Sequence, residues 1–88
     1  HRAPTANSLE WGDGSNGYLH TARVVAAFEN AGLKLIASSE INANGRDRPT
    51  EKDKVWRLPP TLRVSDAAER KSSLDTGESD RMTLKFVK

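Results

Sequence analysis

The sequence contains no cysteine, few aromatic residues and no long hydrophobic run. The absence of cysteine excludes disulfide bonds and thiolate metal sites, which commonly stabilise small secreted domains. No apolar stretch is long enough to span a bilayer, and the first ten residues have neither the basic start nor the apolar centre of an export signal. We therefore expect a soluble, cytoplasmic protein with no membrane partner.

Charged residues make up 30% of the chain and hydrophobic residues 35%, with a formal net charge of +2. A chain of 88 residues forms at most one domain and buries only a modest core. We therefore expect its stability to depend on packing against a partner. The chain begins with His1 rather than methionine, which fits a fragment, a processed product or a trimmed chain. Charges of both signs are mixed along the sequence, so nucleic acid is not an expected partner.

Changes in periodicity predict three elements of regular structure. Residues 1–19 are rich in glycine and small polar residues, which is typical of a loop. Apolar residues in 21–31 recur with helical spacing, and Gly32 follows where a left-handed cap favours glycine, so a helix is predicted there. The period then becomes two, which predicts a strand over 33–41. The same alternation predicts a second strand over 82–87.

The polar connection between the two strands, residues 42–81, is unusually long. Such a connection is functional, disordered, or a sign that the elements at its ends are wrongly assigned. The motif VWRLPP supplies apolar residues and a stiff proline pair that would fix the connection to another surface. Ser65 and Asp66 are candidate N-caps for a short helix over about 66–73. Because two strands are only marginally stable alone, their neighbours must lie outside this chain or in a second copy.

Three segments of the chain resemble the C-terminal portion of a bacterial family of predicted class I S-adenosylmethionine-dependent methyltransferases. They read, in this order, GYLHTARVVAAFENAGLKLIASSEINAN, DRPTEKDKVWRLPPTLR and GESDRMTLKFVK. The resemblance implies an α/β fold with a doubly wound, Rossmann-like sheet and an antiparallel final strand. In that fold 21–31 resembles the last helix and 33–41 the sixth strand. The seventh strand, 82–87, would insert between the sixth strand and a fifth strand that ends at the opening HRA.

The resemblance implies that the chain is the C-terminal, substrate-side part of one methyltransferase domain. Its parts would be a loop (1–19), a helix followed by a strand (20–41), a long polar connection that closes over the site (42–81) and the final strand (82–88). The family's glycine-rich turn and acidic ribose ligand would lie upstream of His1, so we expect no residue that binds S-adenosylmethionine in this chain. The intact protein would methylate an unidentified, small-molecule acceptor, and the chain alone would be inactive.

The glycine-rich segment GDGSNG, residues 12–17, is a tempting substitute for the missing glycine-rich turn. It follows no predicted strand and does not match the spaced dinucleotide fingerprint. We interpret it as a flexible surface loop, since glycine and asparagine commonly mark turns.

Candidate site residues are few. His20 is the candidate catalytic base, although a partly exposed residue at a helix start is the preferred interpretation. Trp11 and Tyr18 would either form an aromatic wall for the substrate or anchor the loop, and anchoring is preferred. His1 and Trp56 are further substrate-side candidates, with Trp56 as the principal anchor of the long connection. Two histidines without cysteines or a close carboxylate cluster predict no metal site.

A run of basic residues surrounds Trp56 and has two interpretations. It would form a single-strand binding surface with a stacking platform, or an ordinary solvated charged face. Acidic residues interleave with the basic ones and favour the solvated face. The basic residues are Arg46, Arg48, Lys52, Lys54 and Arg57, and the acidic ones are Asp47, Glu51 and Asp53.

A rival hypothesis is a non-catalytic interaction module. In that case the exposed edges of 33–41 and 82–87 would pair with a second copy and form a dimer.

Overall fold

The computed structural model describes the whole chain, from His1 to Lys88. It is a small mixed α/β structure with two helices and one two-stranded antiparallel sheet. Neither helix is long and apolar enough to cross a membrane. The elements in chain order are helix α1 (Thr21–Asn30), strand β1 (Lys34–Ser39), a short 3-10 helix (Val55–Arg57), helix α2 (Ala67–Thr76) and strand β2 (Thr83–Val87).

Helix α1 and strand β1 follow one another as the sequence predicts. His20 is the N-cap of α1, and Gly32 adopts a φ of +91°, which only glycine adopts without strain. The tight turn brings the chain back so that Phe28 of α1 packs edge-to-face on Phe86 of β2, with ring centroids 4.6 Å apart. The predicted helix and the strand after it are therefore confirmed, with β1 shorter than predicted.

The two strands pair antiparallel, from Lys34 opposite Val87 to Ser39 opposite Thr83. The register shifts between Leu35 and Ala37, where Ile36 is an extra residue without a partner across the ladder. The sequence predicts strict alternation along this strand. That prediction is wrong at Ile36, because the bulge shifts the pairing by one residue.

The core of the protein lies in its loops and not between α1 and the sheet. No residue of α1 is buried, whereas Ala3, Trp11, Tyr18 and Val55 form one buried cluster. Trp11 and Tyr18 stack with ring centroids 5.1 Å apart. The predicted loop over 1–19 is thus confirmed as irregular backbone, but it is the best-packed part of the chain.

The interpretation of residues 12–17 as a flexible surface loop is wrong in part, since Asp13 and Ser15 are exposed but the other four residues are not. Gly12 and Asn16 are buried, and the Asn16 side chain donates to the carbonyl of Trp11 at 2.9 Å. The Asn16 carbonyl also accepts from the amide of Val55 at 3.0 Å. The glycines allow close approach of neighbouring side chains here, so the segment packs inward.

The long connection 42–81 is folded and contains helix α2. Asp66 is the N-cap of α2 and accepts from the amide of Glu69 at 3.1 Å, which confirms the predicted cap. The helix extends to Thr76, beyond its predicted end. The two ends of the connection meet, because the amide of Arg81 donates to the carbonyl of Asn42 at 3.1 Å.

The amino-terminal residues run beside the segment that enters β2. Neighbouring residues of an extended chain direct their backbone groups to opposite sides. Arg81 bonds Asn42 on the β1 side, and the carbonyl of Asp80 accepts from the amide of Arg2 at 2.8 Å. Because the Asp80 carbonyl and the Arg81 amide belong to one trans peptide unit and point in opposite directions, the Arg2 amide lies on the side of this segment away from Asn42. The Arg2 guanidinium reaches back to Glu40, just beyond the end of β1.

Two glycines with similar backbone angles give a matched test of this packing. Gly17 has a φ of +89°, and a Cβ there would overlap Cγ1 of Val55, whereas no atom lies within 4 Å of a Cβ at Gly32. We predict that Gly32→Ala lowers the free energy of unfolding by about 1 kcal/mol through backbone strain alone. Gly17→Ala adds a clash in the core and should lower it by about 2–4 kcal/mol. Urea denaturation of both variants measures the difference, and equal losses would contradict the loop core.

Candidate functional site

The Asp47 carboxylate is the centre of a buried polar network. Its side chain is fully buried and accepts from the Tyr18 hydroxyl at 2.9 Å to each oxygen. Nη2 of Arg57 donates to it at 3.1 Å, and the amide of Asp80 donates at 3.0 Å. One carboxylate thus joins the glycine-rich loop, the 3-10 helix and the segment that enters β2.

The protonation of this network follows from its burial. Burial raises the pKa of Tyr18 well above its ordinary value, so the phenol keeps its proton and donates to Asp47. Burial alone would lower the pKa of Arg57, but hydrogen bonds to Tyr18 and Asp47 and nearby carboxylates outweigh it and raise the pKa. Arg57 therefore stays charged opposite Asp47. Nη1 of Arg57 also donates to the Tyr18 hydroxyl at 3.0 Å, which closes a triangle of three side chains.

A second charged cluster fixes the amino-terminal residues to both strand ends. Arg2 donates to both oxygens of Asp80, at 2.8 and 2.9 Å, and Nη1 donates to Glu40 at 2.9 Å. Burial acts to raise the pKa of Asp80, but hydrogen bonds from Arg2 and from the amide of Asn44 outweigh it and hold the pKa below its usual value. Asp80 is thus a charged carboxylate shared by three segments.

His20 is buried, which corrects the expectation of a partly exposed residue at the helix start. It is 6% exposed, and its Nε2 lies 2.9 Å from the carbonyl of Ser8, so that nitrogen carries the proton. A Cβ at Gly12 would overlap the His20 ring, so the glycine makes room for it. His20 also lines a cavity of about 280 Å³ beside Arg2, Asn7 and Leu9.

The other predicted site residues fall into two places. Trp11 and Tyr18 are buried core residues, which agrees with anchoring of the loop. His1 and Trp56 line one small cavity of about 140 Å³, next to Arg81. The structure brings these two together but leaves His20 in a different cavity.

Trp56 is not the buried anchor of the long connection. It is 38% exposed, whereas Val55 and Leu58 are 7% and 2% exposed. Val55 in the short 3-10 helix and Leu58, its C-cap, pack inward, whereas Trp56 stays at the surface.

Sequence reasoning missed Asp47. Its neighbours Arg46 and Arg48 made it look like one charge of a solvated face, and its partner Tyr18 is 29 residues away in the chain. No local spacing marks such a pair. No group of three or more His, Asp or Glu side chains is arranged to hold a metal ion.

Comparison with models of protein families, with curated proteins and with solved structures finds no match for this chain.

The Asp47 network predicts a ranking of stabilities. Asp47→Asn leaves the half-buried Arg57 without its closest counter-charge and should lower the free energy of unfolding by about 3 kcal/mol. Tyr18→Phe removes only the hydroxyl and should cost about 1 kcal/mol. Asp75→Asn, on the exposed face of α2, is the control and should change it by less than about 0.5 kcal/mol. Urea denaturation at neutral pH tests the order, and an Asp47→Asn variant as stable as the control would contradict it.

Proposed function

We propose that this chain is the C-terminal, substrate-side part of an S-adenosylmethionine-dependent methyltransferase that transfers a methyl group to a small-molecule acceptor. The proposal begins from the family resemblance of its segments. It is supported by a single geometric observation, the position of Arg2 beside the segment that enters β2.

That position fits an additional strand upstream of His1. Strand β2 pairs with β1 on one edge and has no strand on its other edge. The backbone amide of Arg2 hydrogen bonds to the carbonyl of Asp80 on the side away from Asn42. A strand that ended at His1 and ran antiparallel along the free edge of β2 would need no rearrangement of residues 1–3. This is the order fifth, seventh, sixth that the resemblance implies.

Exposed apolar side chains on the regular elements also support a larger sheet. Phe28 on α1 is 42% exposed, Ile36 on β1 49% and Val87 on β2 40%. In a three-layer α/β domain such faces are covered by neighbouring strands and helices. The remainder of the domain would bury them.

The cofactor would be bound upstream, because the residues present here do not fit it. The only glycine-rich loop, residues 12–17, follows no strand and packs into its own core against Val55. The contribution of this chain is to the acceptor side. His20 and the pair His1 and Trp56 each line a cavity there, and His20 is the candidate base if the acceptor loses a proton.

We further propose that the connection 42–81 acts as a cover over this site. Both of its ends meet at the edge of the sheet where Asn42 leaves β1, which is the edge where ligands bind in doubly wound folds. Val55 and Leu58 attach the cover to the loop core, and the exposed Trp56 remains available to contact an acceptor.

Calorimetry with S-adenosylmethionine tests the proposal. We expect saturable binding to the intact protein and none to the 88-residue chain, because the glycine-rich turn and acidic ribose ligand lie upstream. An intact protein that binds no S-adenosylmethionine would overturn the proposed function. Micromolar binding to the isolated chain would instead show that the cofactor site lies within it.

The same intact protein tests the cover. Hydrogen exchange across 42–81 should slow when cofactor and acceptor are bound, and Trp56→Ala should lower turnover. Unchanged hydrogen exchange on ligand binding, together with unchanged turnover of the variant, would show that the connection is a linker and not a cover.

The alternative, a non-catalytic module that dimerises through its strand edges, is favoured by the same exposed residues. It predicts dimers of the isolated chain in sedimentation experiments together with an intact protein that binds no S-adenosylmethionine. Monomers would rule it out.

A further inference from the structure

A cationic cavity of about 470 Å³ lies between the segment 46–57 and helix α2. Five basic side chains line it, with only Asp53 and Glu69 to offset them. The basic residues are Arg46, Arg48, Lys52, Lys54 and Arg57. The excess of positive charge over negative is therefore three.

Most of these cations have no carboxylate partner in the protein. Arg57 is paired with Asp47, but the other four form no ion pair with any carboxylate. Like charges gathered around one concave space repel each other unless an anion lies between them. Of the interleaved acids, Glu51 accepts from the amide of Ser8 and Asp47 is buried against Arg57, so neither lines the cavity. Asp53 does line it, where it accepts from Thr50 and lies 4.0 Å from Arg57.

Helix α2 forms the second wall and supplies hydroxyl groups. Glu69, Ser72, Ser73 and Thr76 line the cavity, and their spacing of three, four and seven residues puts them on one face of the helix. Ser73 is buried and the Thr76 hydroxyl donates to the carbonyl of Ser72, so Ser72 carries the most accessible hydroxyl of this wall. The wall opposite is held in place by Arg57, which is bonded to Tyr18 and Asp47.

We propose that this cavity is a binding site for a small phosphate-bearing anion. Several cations and hydroxyl donors that converge from two walls suit the oxygens of a phosphate group, and arginine side chains bind phosphate with two hydrogen bonds. A volume of about 470 Å³ falls in the range of small-molecule sites and exceeds a single phosphate ion. The ligand is thus a molecule that carries a phosphate or diphosphate group. The site goes beyond the proposed methyl transfer, since S-adenosylmethionine carries no phosphate.

Titration of the 88-residue chain with pyrophosphate, followed by NMR and calorimetry at low ionic strength, tests this site. We expect saturable binding with chemical-shift changes confined to 46–57 and 69–76, and weaker binding as sodium chloride is added. Orthophosphate should bind at the same residues more weakly, because it carries fewer charges. No saturation, or shifts spread over the whole chain, would overturn the site.

Matched charge variants distinguish binding in the cavity from non-specific attraction of pyrophosphate to the positive charge of the whole protein. Arg48→Gln with Lys52→Gln removes two exposed cations of the cavity and should weaken pyrophosphate binding about tenfold or more. Lys34→Gln with Lys85→Gln removes the same charge from the sheet, away from the cavity, and should leave affinity within about twofold. Equal losses in the two double variants would overturn the site.

A variant that should bind pyrophosphate more tightly provides a second test. Glu69→Gln removes a carboxylate from the cavity wall and should tighten pyrophosphate binding, whereas Glu29→Gln on α1 should not. A short single-stranded oligonucleotide is the last probe. Binding of the oligonucleotide without binding of pyrophosphate would show a nucleic-acid surface in place of the small-anion site.

Discussion

The structure depends on one buried carboxylate. Asp47 receives hydrogen bonds from Tyr18, Arg57 and the backbone of Asp80, which lie in three separate stretches of the chain. These bonds hold the connection 42–81 against the amino-terminal loop, together with the packing of Val55 in the loop core and the bond from its amide to the carbonyl of Asn16. A buried charge with its partners satisfied is costly to disrupt, because removing one partner leaves the other without solvent or counter-charge. The loops of this protein are therefore ordered by a polar network around a small aromatic cluster.

The regular elements, by contrast, contribute little to the core. Helix α1 buries no residue, and the two-stranded sheet leaves Ile36 and Val87 largely exposed. A sheet of two strands is marginal in water, and under the proposed function residues outside these 88 would cover these surfaces. The proposed upstream strand would provide that cover and would use the position that Arg2 already holds beside Asp80. The cationic cavity does not depend on the proposed upstream strand, because both of its walls lie within the chain.

The parts of the fold that follow local rules were predictable from the sequence. The spacing of Val24, Ala27 and Phe28, with Gly32 after them, predicts α1, and Asp66 predicts the start of α2. The loop core was not predictable, because the contact between Tyr18 and Asp47 depends on how two irregular segments pack and leaves no periodic signal. The same reason explains His20, whose burial follows from its fit against Gly12 and Ser8 and not from its place at a helix start.

The candidate site residues also divide into those that the sequence predicts and those that only the folded chain brings together. The burial and stacking of Trp11 and Tyr18 agree with the preferred interpretation as anchors, because aromatic side chains in an irregular loop gain most by burying their large apolar surface. The cationic cavity was hidden because its basic residues alternate with acids in the sequence, and only the folded connection directs Asp47 and Glu51 away from the cavity while Asp53 stays in its wall. Helix α2 completes the cavity from about twenty residues further along the chain, a distance over which sequence spacing carries no information.

Native-state hydrogen exchange tests the central claim, that the loops and not the helix and sheet form the stable core. The amides of Leu19, Val55 and Asp80 are bonded to His1, to Asn16 and to the Asp47 carboxylate. If the network around Asp47 holds the structure together, these amides exchange most slowly, and those of α1 exchange sooner because the helix buries no residue. Slow exchange confined to α1 and the two strands, with rapid exchange at Leu19, Val55 and Asp80, would contradict the account.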